Sequence, residues 1–536
     1  MPLKNKRPFR LVVFLLVSLG VLMAGGLVQP ALTGRAASPA APASYFIYMP
    51  LVESSSSMYD WLQFNGDPSH RGNNSLEYIL SRANVSGLHL LFQASLPAVA
   101  DGTPVYLSNV STASGQRNLI FVTTRTGGLA ALDASTGDQI WWQPSSAPAC
   151  LINNNNTRNE ACYTTSSPAI DPNRQFVYSY GLDGYVHKYA VGDGTQLLTG
   201  NWPELVSRKV YDEKGSSALS LATAKSGTSY LYMANGGYPG DAGNYQGHIT
   251  AINLTDGSQK VFNSLCSNLT VHFVDRRITT SGTDCYPQVQ SAIWARPGVI
   301  YDPANDQIYM STGNGDFTPG NFDWGETVFS LHPDGSGAGN GNPLDSYTPT
   351  NFQNLTDTDT DLGSTAPALL PANNGKYPHL AVQGGKDAIL RLLNLDNLSG
   401  QGQPGKTGGE VFSMSMPGGG QILTQPAVWT NPTDGGVWVF VSNGSGLAAL
   451  QFGLDGSGNP SLQSRWTAGS GTSPIIANGV LYYARSGLIS ALNPVTGSLL
   501  WSSNQVGAIH WQSPVVDNGV LYLEDQAGHL SAFSLL

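Results

Sequence analysis

One short phrase recurs along this chain: a glycine, a strand of alternating apolar character, a polar turn and often a closing tryptophan. It reads "GLAALDASTGDQIWW" from Gly128, "GYVHKYAVGDGTQLL" from Gly184, "GHITAINLTDGSQKVF" from Gly247 and "GETVFSLHPDG" from Gly325. It returns as "DAILRLLNLDNLSG" from Asp387, "GLAALQFGLDG" from Gly446, "GLISALNPVTGSLLW" from Gly487 and "GHLSAFSLL" from Gly528. The eight copies start 41 to 78 residues apart, so a unit of 41 is the bare repeat and earlier copies carry insertions. The bare unit, "TSPIIANGVLYYARSGLISALNPVTGSLLW", holds three strands with turns at "ANG" and "RSG", then a fourth strand running to Trp501. Four antiparallel strands per unit, repeated about an axis, predict an all-β, eight-bladed β-propeller. The last copy stops at Leu536 after its third strand, and "VSGLHLLFQASL", Val85 to Leu96, reads as the missing fourth, with Phe92 near the place of Trp501. The ring is thus expected to close by an N-terminal strand entering the C-terminal blade; seven blades is the alternative.

Composition agrees, with only 12% charged residues, 62 Gly and 33 Pro, which suits short strands and tight turns and leaves no long amphipathic helix. Lys4, Lys6, Arg7 and Arg10 precede an apolar run from Leu11 to Val28, the pattern of an export signal, so residues 1–35 read as a signal peptide or an uncleaved N-terminal anchor. Residues 36–58 are an Ala/Pro/Ser-rich linker, and 59–536 form the propeller. The protein is expected to be secreted or extracytoplasmic, and envelope-associated if the anchor stays. Net charge is −10 and becomes more negative without the basic leader, which argues against a nucleic-acid partner. A monomer is expected, touching membrane through the N-terminal segment only; its partner, whether protein, polymer or small molecule, is left open. Cys150 and Cys162 flank one polar loop and Cys266 and Cys285 another. In an exported chain two local disulfides are the natural reading, although four cysteines permit three pairings.

Three central segments go beyond the bare repeat: "IWARPGVIYDPANDQIYMSTGNGDF", "DTDTDLGSTAPALL" and "LAVQGGKDAILRLLNLDNLSG". With the "G.L.ALD..TG..W" repeat they resemble the pyrroloquinoline quinone (PQQ) repeat of quinoprotein alcohol dehydrogenases and of non-catalytic propellers that share it. The resemblance runs from about Trp61 to Leu536. It implies that Trp294 forms the floor under a quinone ring and that Asn314 ligates calcium. It implies that Asp361, or else Asp359, is catalytic base and metal ligand, and that Lys386 hydrogen-bonds the quinone oxygens. Calcium takes hard oxygen donors, a carboxylate accepts the alcohol proton, and tryptophan offers a flat stacking surface.

The sequence also departs from that pattern. The early acidic ligand should fall in "GGYPGDAGNYQGH", where Asp241 is the only acid and aligns imperfectly; no adjacent cysteine pair is present, and "WARPG" displaces Trp294 from the family spacing. Plain blade packing accounts for the same residues: Trp294 between blades, Asn314 capping a turn, Asp359 and Asp361 bonding a loop, Lys386 pairing with one of them. The sequence therefore favours an exported binding or scaffold propeller, the alternative being a calcium- and PQQ-dependent dehydrogenase of alcohols or polyols.

Other motifs lead nowhere. "GQGQPGKT" from Gly400 fits a phosphate loop by spelling but opens no helix, and "DTDTDLG" lacks the closing Glu of a calcium-binding EF-hand because position twelve is Ala368. The nine histidines form no metal spacing, and His70 reads as a surface loop residue.

Overall fold

Every copy of the recurring phrase folds as the third of four antiparallel strands in its blade: Leu129–Asp133, Tyr185–Ala190, His248–Asn253, Val328–Leu331, Ile389–Asn394, Leu447–Leu454, Leu488–Leu492 and His529–Ser534; a fifth strand, Glu213–Gly215 or the parallel Asn73–Asn74, joins the third and seventh. These define blades 1 to 8 in chain order. The computed structural model describes residues 59–145, 147–152, 160–239, 241, 243–269, 285 and 287–536. The leader at 1–35 and the linker at 36–58 lie outside the described residues, and residues 57–536 form one compact unit. Eight blades, not seven, complete the ring.

Closure follows the expected route. His89–Ser95 pairs antiparallel with His529–Ser534, joining an N-terminal strand to the last strand of the fold. Register explains the recurrent aromatic. Trp141 lies opposite Ala131, Trp466 opposite Ala449, Trp501 opposite Ala491 and Phe92 opposite Ala532, with a bulge beside each pair. The small alanine leaves room for the ring, and the bulge turns it toward the next blade. There the indole N–H of Trp141 donates to Val191 O (2.9 Å) and that of Trp466 to Pro494 O (3.0 Å). The turn glycine of the receiving blade is required by space: at Gly194 and Gly497, both at φ +72°, a Cβ would sit 2.7 Å from the Trp141 and Trp466 rings. The sequence phrase "TG" followed by "W" is therefore an inter-blade socket and its plug.

The segment 59–77 was not assigned a role by the repeat. It runs along the first strands of the ring, hydrogen-bonding Tyr106, Ile170, Leu221, Tyr301, Val428, Ile476 and Val516, in seven of the eight blades. His70 lies within it and is fully buried, its Nδ1 2.5 Å from Phe64 O and its Nε2 3.0 Å from Ser220 Oγ. This corrects the surface-loop reading: spelled in a Gly/Asn-rich stretch, the segment looks like loop, but its polar groups satisfy the inner strands at one end of the axis. Among the described residues the longest α-helix is Phe352–Asp357, and no helix is long and apolar enough to cross a membrane.

Candidate functional site

At the other end of the axis, residues that precede first strands or follow second strands converge, because both connections fall on one face of a propeller. In blade 4, Ile300–Asp302 pairs antiparallel with Gln307–Ser311, and Gly313 N–H donates to Ala292 O (3.0 Å). The hairpin thereby carries Trp294, before its first strand, and Asn314, after its second, to the same end. Gly313 must be small, since a Cβ there would lie 2.8 Å from Asp361 Oδ1 and 3.2 Å from Trp294 Nε1. Asp359 and Asp361 arrive before the first strand of blade 5, and Lys386 follows its second strand, Leu380–Gln383.

These residues meet in a cavity of about 320 Å³ lined by Trp294, Asp241, Asp359, Asp361 and Lys386. Asn314 N–H donates to Asp361 Oδ1 (2.9 Å), and its Nδ2 donates to Asp359 Oδ1 (3.0 Å) and Asp241 Oδ2 (3.4 Å). Lys386 Nζ lies 2.7 Å from both Asp359 Oδ1 and Asp361 Oδ2, and 5.3 Å from the centre of the Trp294 ring. Burial opposes the Lys386 charge, but Asp361 and Asp359 outweigh it and hold its pKa above the ordinary lysine value. Burial raises Asp241, and burial reinforced by Asp361 pushes Glu326 up to about 9. Asn314 Oδ1 is buried without a hydrogen-bond partner among the described residues.

The opposite wall is cationic and aromatic. Lys214 Nζ sits 4.3 Å from the Tyr163 ring centre and 5.8 Å from that of Tyr238; Arg296 lies 5.4 Å over Trp511. Burial, with Arg296 adding, lowers Lys214 to about 7, and burial lowers Arg296 to about 10. The cavity thus has an acidic end and a basic end.

All five site residues expected from sequence, Trp294, Asn314, Asp359, Asp361 and Lys386, come together. Asp241, which fits the family spacing poorly, joins them. Sequence reasoning missed Lys214, Arg296 and Trp511, which come from blades 3, 4 and 8 and share no local spacing; Arg296, inside the quoted "WARPG", was the one legible signal. Both expected disulfides form, Cys150–Cys162 and Cys266–Cys285, and no cysteine is free. Cys266, Cys285 and Asp323 are the one trio of His, Cys, Asp or Glu side chains among the described residues whose ligating atoms all lie within 4.8 Å of one another; the three carboxylates of the axial pocket are spread wider. The sulfurs of the trio are bonded to each other, and Asp323 accepts from Cys266 N–H (2.9 Å), so as oxidised it offers no thiolate.

Solved structures share the fold at low identity. A quinohemoprotein alcohol dehydrogenase from Pseudomonas putida HK5 superposes with TM-score 0.59 and 13% identity, covering 89% of this chain and 80% of that one. A europium-containing methanol dehydrogenase gives 0.59 and 14%, covering 89% and 98%. A quinohemoprotein alcohol dehydrogenase from Comamonas testosteroni gives 0.59 and 15%, covering 89% and 80%. No curated protein sequence matches the chain. A family model described as outer membrane protein assembly factor BamB matches residues 94–271 and 410–536. As those segments make up more than half of the sequence and carry its repeated strands, the chain belongs to this PQQ-repeat, BamB-like β-propeller family.

Proposed function

We propose that the protein is a cation- and PQQ-dependent dehydrogenase of alcohols or polyols, working in the axial pocket. The observation that carries this reading is the gathering of Asn314, Asp241, Asp359 and Asp361 beside one tryptophan and one lysine. Blade packing needs none of these to share a cavity. The donor set fits calcium: the carboxylates offer hard oxygens, and a turn of the Asn314 amide, whose Nδ2 now faces Asp359 and Asp241, would bring its unpartnered Oδ1 to the same side. Lys386, between two carboxylates, holds positive charge there meanwhile.

When bound, the quinone supplies a two-electron acceptor and the cation polarises its carbonyl. The chain's own residues do the rest. Trp294 gives the ring a flat apolar wall. With Asp359 and Asp361 committed to a cation, Lys386 is released to donate to a ligand oxygen. The cationic wall of Lys214 and Arg296 suits anionic groups at the far end of the same ligand. Asp361 Oδ1 stays on Asn314 N–H, and its Oδ2, once Lys386 is released, is open to the cation and to a substrate proton.

The test is reconstitution with PQQ and calcium, followed by dye reduction with ethanol, glycerol and longer polyols. A dye is needed because the sequence has no C-x-x-C-H haem site. We expect alcohol-dependent reduction, lowered more than about tenfold in Asp361→Asn and Asn314→Ala. No reduction by folded, quinone-treated protein removes this reading. The family's description as an assembly factor supports a second one, a binding scaffold that takes up no cofactor.

A further inference from the structure

The buried amine of the axial pocket has no acceptor for its protons. Lys214 lies in Glu213–Gly215, the strand flanking blade 3, where it pairs with Gly236. The backbone beyond it is held in place: Gly215 O accepts from Thr164 Oγ1 (2.7 Å), and Ser216 O accepts from Thr165 Oγ1 and Arg296 Nη1, both at 2.9 Å. Lys214 itself is 5% exposed and lines the cavity, with Nζ beside the rings of Tyr163 and Tyr238. Among the described residues no hydrogen bond or ion pair engages that nitrogen. The charged and titratable groups that face it are Arg296 and Arg125, which oppose a further positive charge, the buried Asp101, which favours one, and the two tyrosines. Across the cavity the carboxylates are taken up by Lys386 and Asn314. A buried ammonium with no acceptor, beside two guanidiniums, is costly, so the uncharged amine with its free lone pair is favoured. Packing alone does not call for a lysine here, since a methionine fills the same space.

We infer that Lys214 is an imine-forming amine, and that the basic wall is a covalent binding site for a small carbonyl compound carrying a carboxylate, of which 2-oxo acids are the simplest class. Arg296 lines the same wall, and its Nε is buried without a hydrogen-bond partner among the described residues, so a donor is left for the carboxylate. The Nζ lone pair forms a bond to the carbonyl carbon as the carbonyl π electrons move to oxygen. Both amine protons pass to that oxygen, the C–O bond breaks, and water leaves a C=N bond behind. The imine nitrogen takes a proton from solvent, and the resulting iminium draws electrons from a neighbouring C–H or C–C bond. Imine formation neither oxidises nor reduces the ligand, so the inference needs no quinone and stands apart from the dehydrogenase reading. An aromatic cage that merely holds an ammonium is the purely structural alternative.

Reductive trapping separates the two. Purified full-length protein, without added quinone, is incubated near neutral pH with glyoxylate and sodium cyanoborohydride, which reduces an iminium to a stable secondary amine, and each lysine is followed by peptide mass spectrometry. Burial and Arg296 hold the Lys214 pKa at about 7, so Lys214 should be alkylated about tenfold or more faster than the exposed Lys225 and Lys260. A caged ammonium reacts more slowly than an exposed lysine, so alkylation of Lys214 at or below the rate of Lys225 and Lys260 overturns the inference. Acetaldehyde, a carbonyl without a carboxylate, should label Lys214 about tenfold less well than glyoxylate when both are scaled to the exposed lysines. An equal ratio for the two reagents overturns the assigned ligand class. Arg296→Gln should lose the preference for glyoxylate; if that variant does not fold, the comparisons on the wild type decide alone. Failure to take up PQQ leaves this result untouched, and failure to label Lys214 leaves the dehydrogenase reading standing.

Discussion

At the residue scale, the pocket pairs groups that pull in opposite directions. Lys214 is held among aromatic rings and two arginines, and its pKa falls from the ordinary 10.5 to about 7. The folded state therefore binds fewer protons than the unfolded chain between those two values, and stability rises with pH across that window. Below about pH 7 the full cost of a buried ammonium is present. Lys214→Met should raise the melting temperature by several degrees at pH 6, the gain fading between pH 7 and 10.5; calorimetry across that range checks it. The acidic end was legible in the sequence because Trp294 and Asn314 share one hairpin and Asp359, Asp361 and Lys386 share one blade. The basic end was not. Each member comes from a different blade, and only closing the ring makes them neighbours.

At the scale of elements, the repeat is a device for joining blades. Its glycine admits the preceding blade's tryptophan, and its alanine gives its own blade's tryptophan room. Trp141 is 8% exposed and fills the socket at Gly194. Trp141→Ala should cost about 3–5 kcal/mol, and Gly194→Val, which combines a strained backbone with a clash, about 2–4 kcal/mol. Shifts in denaturant midpoint measure both. The strand order was readable since every copy of the phrase marks a third strand. The axial segment at 59–77 was not, because a chain that crosses seven blades carries no periodicity of its own.

At the scale of the molecule, closure and the axial segment tie the N-terminal part to the whole ring. A chain of residues 59–536 should unfold at the same midpoint as the full-length protein. A chain of residues 97–536 lacks both the closing strand and the axial segment, leaves blade 8 with an open edge, and should aggregate or lose cooperative unfolding, as size-exclusion chromatography and denaturation would show. Membership of the BamB-like family and two disulfides agree on an extracytoplasmic protein. There the segment at 59–77 crosses seven blades of the ring, and the axial pocket, with acidic and basic walls, suits a flat ligand with a chelating end and an anionic end. Absorbance titration of the purified protein with PQQ in the presence of calcium tests this most directly. The account predicts saturation at one quinone per chain, abolished by Trp294→Ala and by Asp361→Asn in variants that stay folded. Absence of saturable uptake, or uptake indifferent to both substitutions, would contradict it.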